Sequence, residues 1–554
     1  MMTMADRFAL HVGPHGHAEG HADGAPRMDA GLVRAIAQAP GLALVGCFGA
    51  GGEHAAACDR LLREHGYAGA LEPVGQDSPG ELARFGTLLH PGADLARPAW
   101  RRLGLGERSY SLCGVTHGIA SHRAMSATAD LLTAPLRSWD ALVCTARVVR
   151  DSVREVLERQ ADYLRARVGA RHFELPQLPL IPPGIHCADL RPDPARRDQV
   201  RQRLGIGADD VAFLSLGGAR THPQQLFSAL ERAGKDGRSV HLILCGCGAA
   251  TVAEDAFREA AAALAPSVRL AVLDGRTDAG TGDAWAAADV FIALADDVPE
   301  RVVPGPLDAM AAGLPCVVSD WGGYRDVVRD GVDGYRIPTV TPGPGAGVDL
   351  AQRYDDGVDG YAMYVGHASQ AVALDGALLT QACERLIRDA GLRRELGANA
   401  QARAQREFDW SVVFARYRTL FAELEGRRRA DPVLAPTLPS VVPDRLDPFV
   451  LFASYPSTQI TPLSLVELAP DASLALVRQY YDLAINRGTV ASLPTLEEFG
   501  QIFGSIGSRP MQVDELVDAL GPRDRPTLLR GLAWLGKMDL LRIRAAGQEN
   551  AESL

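Results

Sequence analysis

The chain has 554 residues, 47% hydrophobic and 23% charged, with a formal net charge of -11. This balance is that of a globular protein of about three domains, each long enough to bury its own core. The acidic excess argues against broad nucleic-acid binding by phosphate attraction, and the chain has no run of about 18 apolar residues of the kind a transmembrane helix requires.

Positive charge is almost all arginine, since lysine occurs only at Lys235 and Lys537. Arginine binds phosphate as a bidentate fork, so a site that elsewhere uses lysine can here use arginine. The nine cysteines form no CxxC pair, Cys245 and Cys247 being the closest, which points to reduced, buried thiols. The opening MMTMADRFALHVG lacks the charged-then-apolar layout of a signal peptide, so a cytoplasmic location is expected.

Residues 11 to 24, HVGPHGHAEGHADG, read as a loop. His11, His15, His17 and His21 are metal-capable, but the run has neither cysteine nor a fixed scaffold, and no metal is assigned to it. DAGLVRAIAQA then has helical spacing, and LALVGCF (42–48) suits a buried parallel strand. The Gly49–Gly52 loop that follows sits where backbone amides can face an anion, and helix packing explains it equally well. YSLCGVTH (110–117) and ALVCTA (141–146) are further strands, each followed by a helix. The Arg-rich helix from Val148 to Val168 offers a charged face to solvent or to an anionic membrane surface.

A second alternating block starts near residue 210. VAFLSLGG (211–218), VHLILCGCG (240–248), VRLAVLDG (268–275), DVFIALA (289–295) and PCVVSD (315–320) are its strands. Two such blocks predict two parallel sheets covered by helices, with ligands at the carboxyl ends of the strands. The predicted organisation is a first Rossmann-like domain over 1–205, a second over 206–405, a closing helix over 406–430, a proline-rich linker over 431–447 and a mainly helical domain over 448–554. In the last, residues 510–544 read helix, turn, helix, strand, an order resembling a winged helix. Its second helix carries only Arg530 and Lys537 as positive charges, which favours protein contact or self-association over DNA.

The chemistry concentrates in DDVPERVVPGPLDAMAAGLPCVVSDWGGYRDVVRDGVDGYRIP (296–338). Glu300 lies in the loop beyond a strand. Pro304, Gly305 and Pro306 lead into the helix LDAMAAG, with Pro306 at a first-turn position and Asp308 in that turn. Two carboxylates flanking a helix start suit a nucleotide sugar, its pyrophosphate at the helix end and its hydroxyls on the acids. Asp308 as a simple first-turn acid and Glu300 as a solvated loop residue is the alternative.

The Glu-x7-Asp spacing, followed by AMAAGLPCVVSDWGGYRD and DGVDGYRIP, resembles the donor-site signature of retaining glycosyltransferase family 4, of the two-domain GT-B fold. YSLCGVTHGIAS, SWDALVCTA, LPLIPPGI and FDWSVVFARYRTLFAEL resemble acceptor-domain, hinge and closing-helix segments of a bacterial branch, so the likeness runs over roughly residues 80 to 425. The resemblance implies that Glu300 contacts the donor sugar and that Asp308, one methylene shorter than the usual glutamate, holds the ribose. It makes His117 the acceptor-side histidine, a residue that a loop or core role explains equally well.

The chain also departs from the family. Gly218 and Pro223 stand where the family has an arginine and a lysine that clamp the diphosphate. Arg220 and His222 are the substitutes within reach in the loop Gly217–His222, and Gly305 replaces a glycine usually found earlier. Val302 and Val303 stand in place of Phe-Gly, and His186 in place of an aspartate after the hinge. Two readings follow. One is an active, metal-independent retaining transferase without a cofactor, taking a nucleotide sugar and an unidentified acceptor. The other is a degenerate transferase fold that serves as a non-catalytic partner of another enzyme.

Overall fold

A computed structural model describes residues 7–11, 30–49, 52–216, 223–236, 238–246, 251–275, 277–297, 305–431, 442–488, 490–521 and 524–544. It divides into two compact units, residues 1–442 and 443–554.

The first unit is built on two sheets. The first sheet contains β1 (Arg7–His11), β2 (Leu44–Gly49), β3 (Ala70–Gly75), β4 (Thr87–His90), β5 (Ser111–Thr116) and β6 (Ala141–Cys144), in the order β3-β2-β1-β4-β5-β6. The second contains β7 (Val211–Leu216), β8 (Val240–Cys245), β9 (Arg269–Leu273), β10 (Val290–Ala293), β11 (Cys316–Ser319) and β12 (Gly334–Ile337), in the order β12-β11-β10-β7-β8-β9. Every described pairing in both sheets is parallel. Read from its own first strand, each sheet has the doubly wound order 3-2-1-4-5-6. The alternation of signals predicts the two parallel sheets, and together they are the two-domain, Rossmann-like GT-B arrangement that the family resemblance implies.

The strand sequences explain the burial. TLLH, ALVC, VFIA and CVVS are buried or nearly so from end to end, as runs covered on both faces must be. Helix punctuation is equally legible. In Pro194–Leu204, the Asp193 side chain accepts from Arg196 N, proline opens the first turn, and Gly205 closes the helix at φ 67°. The described cysteines are buried and free.

Each sheet has its own cores. Helix Trp410–Ala430, from the far end of the unit, lays Trp410, Val413, Phe414, Tyr417, Leu420, Phe421 and Leu424 against Phe8 and Leu10 of the first sheet. Cys187, Val200 and Ile206 join the core of the second sheet, so that domain gathers chain from ahead of the expected start at 206. Beyond β12 the chain forms β13 (Thr339–Val340) and β14 (Ala373–Leu374), an antiparallel pair enclosing helices Val348–Asp355 and Tyr361–Ser369. The sequence reading had no counterpart for these helices.

The second unit holds β15 (Leu465–Leu468), β16 (Met511–Gln512) and β17 (Leu541–Arg544), with β15 central and antiparallel to both neighbours. Helices Leu474–Asp482, Leu496–Ile506, Val513–Leu520 and Arg525–Lys537 enclose a core of Val466, Phe499, Ile502, Leu516, Leu532 and Leu535. Its closing order of helix, helix and strand is the one read from the sequence. Arg530 is engaged by Ser492 O and Thr527 Oγ1.

Candidate functional site

In a doubly wound sheet the crevice opens where adjacent strands send their helices to opposite faces. In the second sheet those strands are β7 and β10. Helix Gln224–Ala233 follows β7 and packs Leu226, Phe227 and Leu230 with Val211 and Phe213. Helix Gly305–Ala311 follows β10 on the other face, packing Leu307 and Met310 with Ala212 and Leu214. The carboxyl ends of β7 and β10 therefore frame the crevice, and the described residues that follow β10 and open the helix Gly305–Ala311 stand at it.

Gly305, Pro306 and Asp308 stand at the start of the helix after β10. A side chain at Gly305 would lie 2.9 Å from the Phe291 ring and 3.7 Å from Leu216 Cδ1, so glycine lets the helix start close to the sheet. Asp308 is largely buried, and burial pushes its carboxyl up to about 7. Among the described residues that carboxylate has no hydrogen-bonding or charged partner. A desolvated carboxylate at a crevice mouth is a ready acceptor for two ligand hydroxyls.

The SDWGGYRD segment is a brace. Ser319 Oγ donates to Ala295 O at 2.5 Å, and Trp321 Nε1 donates to Asp297 O at 2.6 Å. Both bonds hold the backbone that leaves β10 toward Glu300. Asp326 then receives the backbone N–H of Arg147 at 2.6 Å and its guanidinium at 2.9 Å. A motif read as part of the donor signature thus ties the second sheet to the first turn of the first sheet's helix Arg147–Val168. A second tie joins Tyr354, in a helix the sequence reading missed, to the His122 ring 3.7 Å away, and Tyr354 also stacks on Tyr364 at 4.6 Å.

His117 follows β5 at the carboxyl edge of the first sheet, beside Pro91, Thr145, Pro183 and Trp410 in a small, mostly apolar cavity. His186 Nε2 donates to Gly31 O at 3.1 Å, linking the hinge to the first domain's opening helix. Pro223 precedes helix Gln224–Ala233 and supplies no cation there. Glu300, Arg220, His222, Gly217 and Gly218, together with Val302, Val303, His15, His17 and His21, lie outside the described residues. Among the described residues no group of three or more His, Cys, Asp or Glu side chains is placed to hold a metal ion, and no helix is long and apolar enough to cross a membrane.

Sequence reasoning named His11 only within the histidine-rich loop and missed its pairing with His90. They end β1 and β4, with Nδ1 atoms 2.7 Å apart. The histidine-rich composition drew His11 into a loop, and the four-residue strand Thr87–His90 was too short to stand out.

Residues 213–346 match the family described as glycosyl transferases, group 1. The matched segment is the one that builds the second sheet. The chain is 31% identical over 172 residues to a D-inositol 3-phosphate glycosyltransferase of Geodermatophilus obscurus, covering 29% of this chain and 37% of that one. It is 31% identical over 176 residues to a phosphatidyl-myo-inositol mannosyltransferase of Mycobacterium leprae, covering 31% and 35% respectively. The match thus spans little more than a third of either relative's length. Among solved structures, the chain is similar to Anabaena Alr3699/HepE in complex with UDP and glucose, at 19% identity and a TM-score of 0.45, over 75% of this chain and all of that one.

Proposed function

We propose that the protein is a glycosyltransferase that moves a sugar from a nucleoside diphosphate sugar to a hydroxyl-bearing acceptor, with retention of anomeric configuration and without a metal. The observation that carries this reading is Asp308, a buried carboxylate with no described partner at the crevice of the second sheet, inside the segment matching the transferase family. In this reading Asp308 accepts the ribose hydroxyls and Glu300 the hydroxyls of the donor sugar. The diphosphate settles toward the helix start at Gly305 and Pro306, with Arg220 and His222 facing it from the loop Gly217–His222. Arg220 takes the place of the family's paired cations at Gly218 and Pro223. Charge that builds on the leaving diphosphate is then met by fixed donors rather than by a metal ion, an effect worth about 3 kcal/mol per donor.

His117 faces the acceptor from the first sheet. The acceptor attacks the face of the sugar that the diphosphate leaves, and approach of the two domains excludes water. The inositol-containing names of the relatives make polyols a first class of acceptor to try. The second unit is assigned to protein contact or self-association, and the Arg-rich face of helix Arg147–Val168 to solvent or to a peripheral membrane contact.

One observation favours the non-catalytic reading instead: Pro223 caps a helix where the family places a cation. Incubation with UDP-, GDP- and ADP-sugars, followed by detection of released nucleotide, separates the two. Release that is lost in Glu300→Ala and reduced at least a hundredfold in Arg220→Ala supports the transferase. Nucleotide binding without turnover of any donor supports the partner.

A further inference from the structure

Residues 341–372 leave the second sheet and return to it. Their base is fixed. β13 and β14 pair Thr339 with Leu374 and Val340 with Ala373. Thr339 Oγ1 donates to Asp320 O at 3.1 Å, and Asp320 N donates to Ile337 O at 2.7 Å, so the base is bonded to the SDWGGYRD segment. Ile337 lies in the core of the second sheet, with Tyr335 and Leu374 packed against it.

The excursion itself is packed into neither domain. Between 341 and 372 no residue belongs to the core of either sheet. Helix Val348–Asp355 buries none of its residues, and helix Tyr361–Ser369 buries only Val365 and Ser369. The arm that leads in, TPGPGAG (341–347), is exposed throughout and holds Gly345 at φ 100°, a backbone conformation that favours glycine. A segment with so little apolar burial lies at the low-stability end of a fold, and it can move without disturbing the core.

Yet it is stiff within itself. Arg353 grips the buried Asp359 carboxylate through Nε and Nη2, both at 2.8 Å, and His367 Nδ1 lies 3.5 Å from the same carboxylate. The N–H groups of Val358 and Asp359 both donate to Arg353 O, at 2.9 and 3.1 Å. Tyr354 stacks on Tyr364 across the two helices. These bonds make the two helices one body.

The far end of that body lands on the first domain. The Tyr354 ring meets the His122 ring edge-on, and Tyr354 Oη accepts the His122 backbone N–H at 3.3 Å. His122 opens helix His122–Ala129, directly after the loop 117–121 that follows β5. An N–H in a first helical turn has no partner within its helix, and here the phenol supplies one. The excursion therefore runs from the SDWGGYRD segment of the second sheet to the loop of His117 at the carboxyl edge of the first.

We propose that residues 341–372 are a hinged lid, pivoting on the β13–β14 pair and latched by Tyr354 on His122, that lifts to admit the acceptor and closes to keep water from the donor. The hinge, the stiff body and the latch are read from contacts. The assignment to acceptor entry rests on the transferase reading.

The test uses the full chain with nitroxide labels at Met363→Cys in the lid and Tyr163→Cys in helix Arg147–Val168, positions that are 52% and 57% exposed. Cys247→Ser is the background, since the other eight cysteines are buried. Pulsed dipolar spectra should give one narrow distance population in the labelled parent. Tyr354→Ala should move at least half of it to longer distances. His122→Ala, which leaves the stack of Tyr354 on Tyr364 in place, should do the same, whereas unravelling of the lid would follow from Tyr354→Ala alone. Unchanged distances in both variants, or a change confined to Tyr354→Ala, overturn the lid. Incubation with UDP-, GDP- and ADP-glucose and glycerol as acceptor reads the second half of the proposal. With a donor that the parent turns over, Tyr354→Ala should raise the ratio of free glucose to glucosyl glycerol at least threefold. An unchanged ratio overturns the assignment to acceptor entry. Release from no donor by the parent overturns the transferase reading instead, and the distances still decide the lid.

Discussion

Asp308 shows how one side chain can carry both a ligand and a cost. Its carboxyl is raised from 3.8 to about 7 by burial, so the fold favours its protonated form. The stability it contributes is complete below about pH 4 and is lost as pH rises through about 7. Asp308→Asn should therefore gain melting temperature over the parent as pH goes from 4 to 8, a difference of at most roughly a few kcal/mol. Equal melting profiles would place the group in water. Asp140 is the opposite case, fully buried and saturated. It takes Arg102 at 2.5 and 2.7 Å, Leu112 N at 2.8 Å and Arg137 N at 2.9 Å. Asp140→Ala strands the Arg102 cation in the core, and urea unfolding should show a loss of about 3–5 kcal/mol. Asp308 was legible because a helix start, a proline and an acid fall together in sequence. Asp140 and the His11–His90 pair were not, because each joins residues brought together only by strand order.

At the scale of elements, the SDWGGYRD brace is the most exposed to test. Trp321→Phe keeps an aromatic ring but removes the indole N–H that donates to Asp297 O, together with part of the side chain's volume. Stability should fall by about 1 kcal/mol, while nucleotide affinity falls several-fold because the loop toward Glu300 is loosened. Unchanged affinity would separate the brace from the site. Strands with a continuous apolar run, such as VAFLSL and VHLILC, were plain in the sequence, since a strand covered on both faces needs such a run. β1 and β4 were missed although they are the two central strands of their sheet: RFALH ends in a histidine cluster, and TLLH is only four residues long. The helices between β13 and β14 were missed because glycine and proline dominate the stretch that leads into them, and their role, the contact of Tyr354 with His122, is one of tertiary placement.

The first unit closes on itself as a whole. Helix Trp410–Ala430 returns to complete the core of the first sheet, and its Arg428 bonds Gly86 O while Arg108 bonds Arg428 O at 2.7 Å. Ile185 and the start of this helix exchange backbone bonds, Ile185 N to Phe408 O at 2.9 Å and Trp410 N to Ile185 O at 3.0 Å. Residues 1–442 should therefore unfold cooperatively on their own, whereas a chain ending at 405 leaves Phe8 and Leu10 uncovered and should aggregate. Calorimetry of the two truncations decides this. The central claim is that a nucleoside diphosphate occupies the crevice of the second sheet with its ribose on Asp308. Isothermal titration of UDP, GDP and ADP at pH 8 into the parent and Asp308→Ala tests it most directly. Saturable binding of at least one nucleotide to the parent, weakened tenfold or more in the variant, is the predicted result. Silence from all three nucleotides, or equal binding by parent and variant, would contradict it.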